Sequence, residues 1–128
     1  MKSFIKWIPA IIIIGCSWYL SSQPTIEHLP RFPNADKVVH FICFGGLCFW
    51  ITFALTKKTP VAIALTSIYG IIDEIHQSFV PGRSSSIFDW VADTLGAVAG
   101  FFIFMTLYSF IIRKKIKGEE KPHHFEAE

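Results

Sequence analysis

Four unbroken apolar runs, Phe4 to Leu20, Val38 to Leu55, Val61 to Val80 and Ile87 to Ile112, dominate this 128-residue chain. Each is near the roughly 20 residues that a helix needs to cross about 30 Å of hydrocarbon. The runs are continuous rather than alternating, and backbone polar groups in lipid must bond internally, so they predict helices and not the strands of a barrel. The connections Thr56 to Pro60 and Pro81 to Ser86 are short enough to make successive helices antiparallel neighbours. The fold class that follows is all-α: a polytopic membrane protein built as a four-transmembrane-helix antiparallel bundle. Residues 1–117 form its single domain, and the polar, aperiodic residues 118–128 read as a disordered tail.

Composition agrees. The chain is 52% hydrophobic and 17% charged, where soluble domains carry about 25% charged residues. That excludes a soluble globule and a disulfide-stapled module. The net charge of +2 is too small to imply a nucleic-acid partner. Membrane lipids are the expected surroundings.

Basic residues beside spans are retained on the cytoplasmic side. Lys2, Lys6, Lys57, Lys58, Arg113, Lys114, Lys115 and Lys117 fall on one side of a four-span chain, and Arg31, Lys37 and Arg83 on the other. Both termini are therefore expected in the cytoplasm. A rival reading of the first span takes Ile13-Ile14-Gly15-Cys16 as a lipoprotein cleavage box. Against it, apolar character continues through Trp18, Tyr19 and Leu20, where a lipoprotein has a polar tether. Cys43 and Cys48 read as small apolar residues inside the second span. His123 and His124 read as part of a solvated tail.

Ionisable groups inside spans cost about 2.5 to 3.5 kcal/mol on insertion scales and usually face the bundle interior. Here Asp36, Lys37 and His40 lie on the second run, Asp73, Glu74, His76 and Gln77 on the third, and Asp89 and Asp93 on the fourth. The second run starts outside, the third ends outside and the fourth starts outside, so all three sets converge on the outer leaflet. Arg83 and Ser84 to Ser86 belong to the loop above them. At about 1.5 Å per residue, Asp73 and Glu74 sit roughly 9 to 10 Å below Val80.

Helical phase supports convergence. Asp89, Asp93, Gly96 and Gly100 share an arc of roughly 60°, as do Asp36, His40, Cys43 and Leu47. Thr66, Tyr69, Gly70, Asp73, His76 and Gln77 share about 120°, with Glu74 at the edge. Gly96 and Gly100 let another helix approach closely, within the chain or in an oligomer. Asp36 and Asp89 also lie where helix caps are expected, and Pro81-Gly82 reads as a turn that aims Arg83 across the mouth of the cluster.

The blocks Asp36-Lys37-Val38-Val39-His40, Glu74-Ile75-His76-Gln77-Ser78-Phe79-Val80-Pro81-Gly82-Arg83 and Asp89-Trp90-Val91-Ala92-Asp93-Thr94-Leu95-Gly96 resemble the signatures of the VanZ-like family. The resemblance covers about residues 30 to 100. The last block has Asp93 where many members carry Asn, which adds one acid to the cluster. The resemblance implies a small multi-pass protein of the bacterial cytoplasmic membrane. It also implies a link to the cell envelope and to glycopeptide-type susceptibility, teicoplanin above all, without naming a reaction.

Three functions fit these residues. In the first, an outer-leaflet enzyme acts on a lipid-linked or cell-wall intermediate, with Glu74, His40, Asp93 and Asp89 as candidate acid/base groups. Arg83, Gln77, Asp36, Lys37, His76 and Asp73 then hold the substrate, Arg83 by a bidentate grip on phosphate or carboxylate. In the second, the same cluster binds a lipid intermediate, an antibiotic or a partner protein without chemistry. In the third, the acids and His40 relay protons for transport; the inner halves of the spans offer few polar steps for it. Asp73, Glu74, Asp89, Asp93 and the two histidines could alternatively bind a divalent ion, but no strict motif such as His-Glu-x-x-His supports one. No metal and no cofactor is expected.

Overall fold

The computed structural model describes residues 2–24 and 34–120 of the chain. Arg31 and the tail from residue 121, with His123 and His124, lie outside them. A 3₁₀ turn at Ser3–Trp7 leads into α1 (Ile8–Ser21), followed by α2 (Ala35–Ala54), α3 (Val61–Ser78) and α4 (Ile87–Glu119). The described residues are helical throughout, apart from turns and short connections. Three segments, Ser3–Ser21, Ala35–Ala54 and Ile87–Glu119, are long and apolar enough to cross a membrane, so the chain is a multi-pass membrane protein. The remaining helix, α3, gathers Asp73, Glu74, His76 and Gln77 in its last turns.

Helix ends depart from the apolar runs in two places. α2 starts at Ala35, so Asp36 and Lys37 fall inside its first turn. α4 runs beyond Ile112 to Glu119, taking in Gly118 and Glu119, which read from sequence as the start of a disordered tail. Arg113, Lys114, Lys115 and Lys117 are good helix formers, and cations suit the negative end of a helix dipole. α1 continues unbroken past Cys16, and Ala10 upstream of that cysteine is buried in the core.

Successive helices are antiparallel, yet the most extensive contact joins α2 to α4, which run parallel. Lys37 meets Asp89, His40 meets Asp93 and Phe49 meets Phe104, a register that advances together along both helices. Small residues make the contact possible. A Cβ on Gly96 would strike the carbonyl of Phe41, and one on Gly100 the carbonyl of Gly45. Gly45 in turn faces the Gly96 carbonyl, which a Cβ would meet at 3.0 Å. Lipid tails are as apolar as leucine, so close packing of this kind, not a hydrophobic drive, holds helices together in a bilayer. Gly96 and Gly100 thus both face α2 within the chain.

Below the polar end, Ala10, Phe44, Leu47, Cys48, Ile51, Ala62, Ala97 and Phe101 form a buried apolar core. The buried hydroxyls at this level, Thr52 and Thr66, bond back to the Cys48 and Ala62 carbonyls of their own helices. At the far end, Lys58 caps α2 by donating to the Phe53 and Leu55 carbonyls at 2.8 and 2.6 Å. Burial, with some repulsion from Lys6, holds the Lys58 ammonium below its ordinary pKa.

The glycine contact sets a test. Gly96→Ala and Gly100→Ala should each cost about 1–3 kcal/mol through overpacking, although alanine is the better helix former. Gly15→Ala and Gly118→Ala, where a Cβ meets nothing within 4 Å, should be neutral or stabilising. Thermal unfolding of the purified protein in detergent distinguishes the two pairs.

Candidate functional site

The end of α1, the start of α2, the end of α3 and the start of α4 come together around a cavity of about 200 Å³. Its walls carry Ser17 and Ser21 from α1, Asp36 and His40 from α2, Asp73 and Gln77 from α3, and Asp89 from α4; Arg83 and Ser84 belong to the connecting loop. Three helices and a loop therefore bring most of the sequence-selected polar residues to one volume. Phe44 and Cys43 face the cavity from the apolar side.

His40 is the organising side chain. Its Nδ1 donates to Asp93 Oδ1 at 2.7 Å, and Glu74 Oε1 lies 4.0 Å from the same nitrogen. The imidazole stacks on buried Phe44, with ring centroids 6.0 Å apart. A carboxylate on Nδ1 fixes the tautomer and leaves Nε2 as the basic nitrogen. Asp93 is fully buried, and Gly70 makes its place: a Cβ there would lie 3.0 Å from Asp93 Oδ2 and 3.2 Å from Asp93 Cβ.

Glu74 ties the helix ends together. Its Oε2 accepts the backbone N–H of Ser86 at 3.0 Å, while the Ser86 hydroxyl accepts from Phe88 N as the N-cap of α4. Ser86, rather than Asp89, is thus the cap; Asp89 stands in the first turn, 95% buried, with Lys37 Nζ 3.4 Å from its Oδ1. Lys37 is shared with Asp36 at the same distance. Asp36 likewise sits one residue inside α2; the residue before the helix is Asn34, left-handed at φ 62° and without a side-chain cap.

On the opposite wall, Gln77 Nε2 donates to Asp73 Oδ2 at 3.1 Å and to Ser21 Oγ at 3.3 Å. Tyr69 reaches the Ile14 carbonyl at 3.2 Å. His76 points elsewhere. It stacks on Trp18 at 3.9 Å and bonds the Ser22 hydroxyl at 2.9 Å, outside the cavity lining. In the structure it joins α1 to α3. At about 100° per residue it lies far enough round α3 from Gln77 to meet a different neighbour.

The loop behaves as its residues predict. Arg83 N donates to the Val80 carbonyl at 3.1 Å and Gly82 has φ +80°, the signature of a turn with Pro at its first and Gly at its second central position. Arg83 lines the cavity and makes no ion pair with the described residues.

The VanZ/LLP1 family model matches residues 2–111, which contain every residue of this site. The chain belongs to the VanZ/LLP1 family. A fission yeast relative, Uncharacterized protein C11E3.10 of Schizosaccharomyces pombe (strain 972 / ATCC 24843), is 33% identical over 91 residues, 67% of this chain and 54% of the yeast protein. The chain thus spans about half the length of that relative. No solved structure matches it significantly. For a VanZ/LLP1 protein, the site shows what the three sequence blocks do together: the first supplies His40, the second Glu74 and the Arg83 turn, the third Asp89 and Asp93.

The sequence did not mark the part of α1 in the site. Ser17 and Ser21, both buried, close one wall, and with Ala10 they form a stripe of small residues at helical spacing inside an otherwise bulky run. That stripe was the available signal. The Ser67–Thr94 hydroxyl pair and the Trp90 indole bond to the Ser67 carbonyl, which join α3 to α4, were also unmarked.

Removing the histidine's partner should be costly in proportion to what is left unsatisfied. Asp93→Ala is expected to destabilise by about 1–3 kcal/mol, the penalty of an orphaned buried donor, whereas Asp93→Asn keeps an acceptor and should cost less than about 1 kcal/mol. Denaturation followed by circular dichroism in micelles gives both values.

Proposed function

We propose that this cavity receives the polar headgroup of a membrane-borne amphiphile, anionic and lipid-linked, and that His40, oriented by Asp93, exchanges a proton with it. The observation that carries this reading is the 2.7 Å His40–Asp93 bond, with the imidazole in the wall of an open cavity that Arg83 also lines. A base whose tautomer is fixed and whose other nitrogen is free is the arrangement that proton transfer requires. Arg83 suits phosphate or carboxylate through its planar fork of donors. A fungal relative favours a lipid-like molecule over one special to a bacterial wall.

The membrane setting of this proposal has four spans with both termini in the cytoplasm of a bacterial cell. α3 joins the other three because its exposed face carries Leu65, Ile68, Ile72 and Ile75, a surface suited to lipid. Most of the described basic residues, Lys2, Lys6, Lys57, Lys58, Arg113, Lys114, Lys115 and Lys117, flank the end opposite the cavity, which supports an outer-leaflet place for it. Proton-linked transport is less well supported, since the buried apolar core from Leu47 to Phe101 underlies the cavity. Reporter fusions test the topology: a fusion after Lys117 should be active as a cytoplasmic reporter and one inserted at Ser84 as an external reporter. The opposite pattern would refute the orientation.

Lipid retained by the purified protein, read by native mass spectrometry, tests the site. Arg83→Ala should lower retention of anionic amphiphiles about tenfold or more, consistent with loss of a charge-assisted contact worth roughly 1.5–3 kcal/mol. His40→Gln should retain them while abolishing any chemical change and any effect on envelope-antibiotic susceptibility in a producing bacterium. Equal loss of retention and function in His40→Gln would favour a binding protein without chemistry. Wild-type behaviour of both variants would make the cluster structural.

A further inference from the structure

Four carboxylate oxygens in this cluster, Asp73 Oδ1, Glu74 Oε1, Asp89 Oδ1 and Asp93 Oδ2, are buried without a hydrogen-bond partner among the described residues. Taking a carboxylate out of water costs several kcal/mol unless its charge is met. Among the described residues, the permanent cations in reach are Lys37 and Arg83, against five acids counting Asp36. Among these residues positive charge is the scarcer.

Two of these acids have a partner suited to filling the shortage. A histidine nitrogen of His40 and one oxygen each of Glu74 and Asp89 lie within 4.8 Å of one another. Glu74 is 92% and Asp89 95% buried. We infer that His40, Glu74 and Asp89 form a binding site for a divalent cation where the starts of α2 and α4 meet the end of α3. An imidazole with two carboxylates is a donor set for Mn²⁺, Fe²⁺ or Zn²⁺ more than for Ca²⁺. Ligand distances of about 2.0–2.2 Å ask the three side chains to close slightly around the ion.

The surroundings fit. Asp93 accepts from His40 Nδ1, so an ion would be held by Nε2, with Asp93 in the supporting place that a carboxylate commonly takes at the second nitrogen of a metal-ligating histidine. Lys37, on a flexible and partly exposed stem, stands 3.4 Å from both Asp89 and Asp36. An ion at Asp89 leaves Lys37 a ready alternative on Asp36. Asp73 is excluded from the set, since Gln77 occupies its other oxygen on the far wall. The bound ion would face the cavity that Arg83 lines, and the pair would grip a phosphate-bearing headgroup from two sides. Only this last role rests on the headgroup reading above; with an ion on Nε2, His40 has no free lone pair, so ion binding and the proton exchange proposed above are alternative states of the same residue.

Mn²⁺ titration of the full-length protein in nanodiscs of zwitterionic lipid, followed by electron paramagnetic resonance, tests the site without any added ligand. One ion per chain should bind, and pulsed measurements on the wild-type complex should detect a coordinated imidazole nitrogen. His40→Ala, Glu74→Gln and Asp89→Asn should each weaken binding at least about tenfold, and Asp73→Asn should change it less than about threefold, within the scatter of a neighbouring charge. No binding at millimolar Mn²⁺, a complex without the nitrogen signal, or equal losses in Asp73→Asn would overturn the inference. The wild-type spectrum decides even where a variant does not fold. Loss of lipid retention in Arg83→Ala would leave the metal result untouched, so the two readings fail separately.

Discussion

The contact between the backbones of α2 and α4 governs the rest of the molecule. Gly45, Gly96 and Gly100 bring two parallel helices close enough for carbonyl oxygens to face the surface where side chains would otherwise stand. That approach places His40 within hydrogen-bond distance of Asp93 and Lys37 beside Asp89. A wider separation would leave the same acids buried with no cation or imidazole in reach, a state the bilayer penalises heavily. The packing of small residues and the polar chemistry are one constraint seen at two depths.

Much of this was legible in the chain because periodicity survives when helices are long. The arc shared by Asp89, Asp93, Gly96 and Gly100 lies on the buried face of α4; of the α3 arc, Thr66, Gly70, Asp73 and Gln77 are buried while Tyr69 and His76 are half-buried. The turn at Pro81-Gly82 has the positive φ that its residues demand. Residues chosen for spacing and for the oddity of charge in an apolar run were thus brought together without knowledge of which helices touch.

What periodicity cannot supply is the order of helices around the bundle. Short connections between successive helices gave no hint that α2 and α4, separated by a whole helix, are the closest partners. Nor could phase alone separate His76 from Gln77: adjacent on α3, one reaches Trp18 and Ser22 while the other reaches Ser21 and Asp73. The serines of α1 escaped notice because hydroxyls in a span are cheap when they bond locally, and nothing in their own segment required a distant partner. The start of α2 lies just under a turn before its apolar run and the end of α4 about two turns beyond its own, where charged residues extend a helix as readily as they flank one.

Glu74 holds two offices at once. One oxygen fastens the first turn of α4 through the Ser86 amide, and the other stands bare beside His40. A substitution that shortens or removes this side chain loosens a joint between helices as well as deleting a charge, so its phenotype would confuse mechanics with chemistry. Glutamine retains the acceptor for the joint and gives up only the charge. The same logic makes the α3–α4 loop a lever: whatever changes the protonation or ligation of Glu74 is transmitted through one hydrogen bond to the segment that carries Arg83.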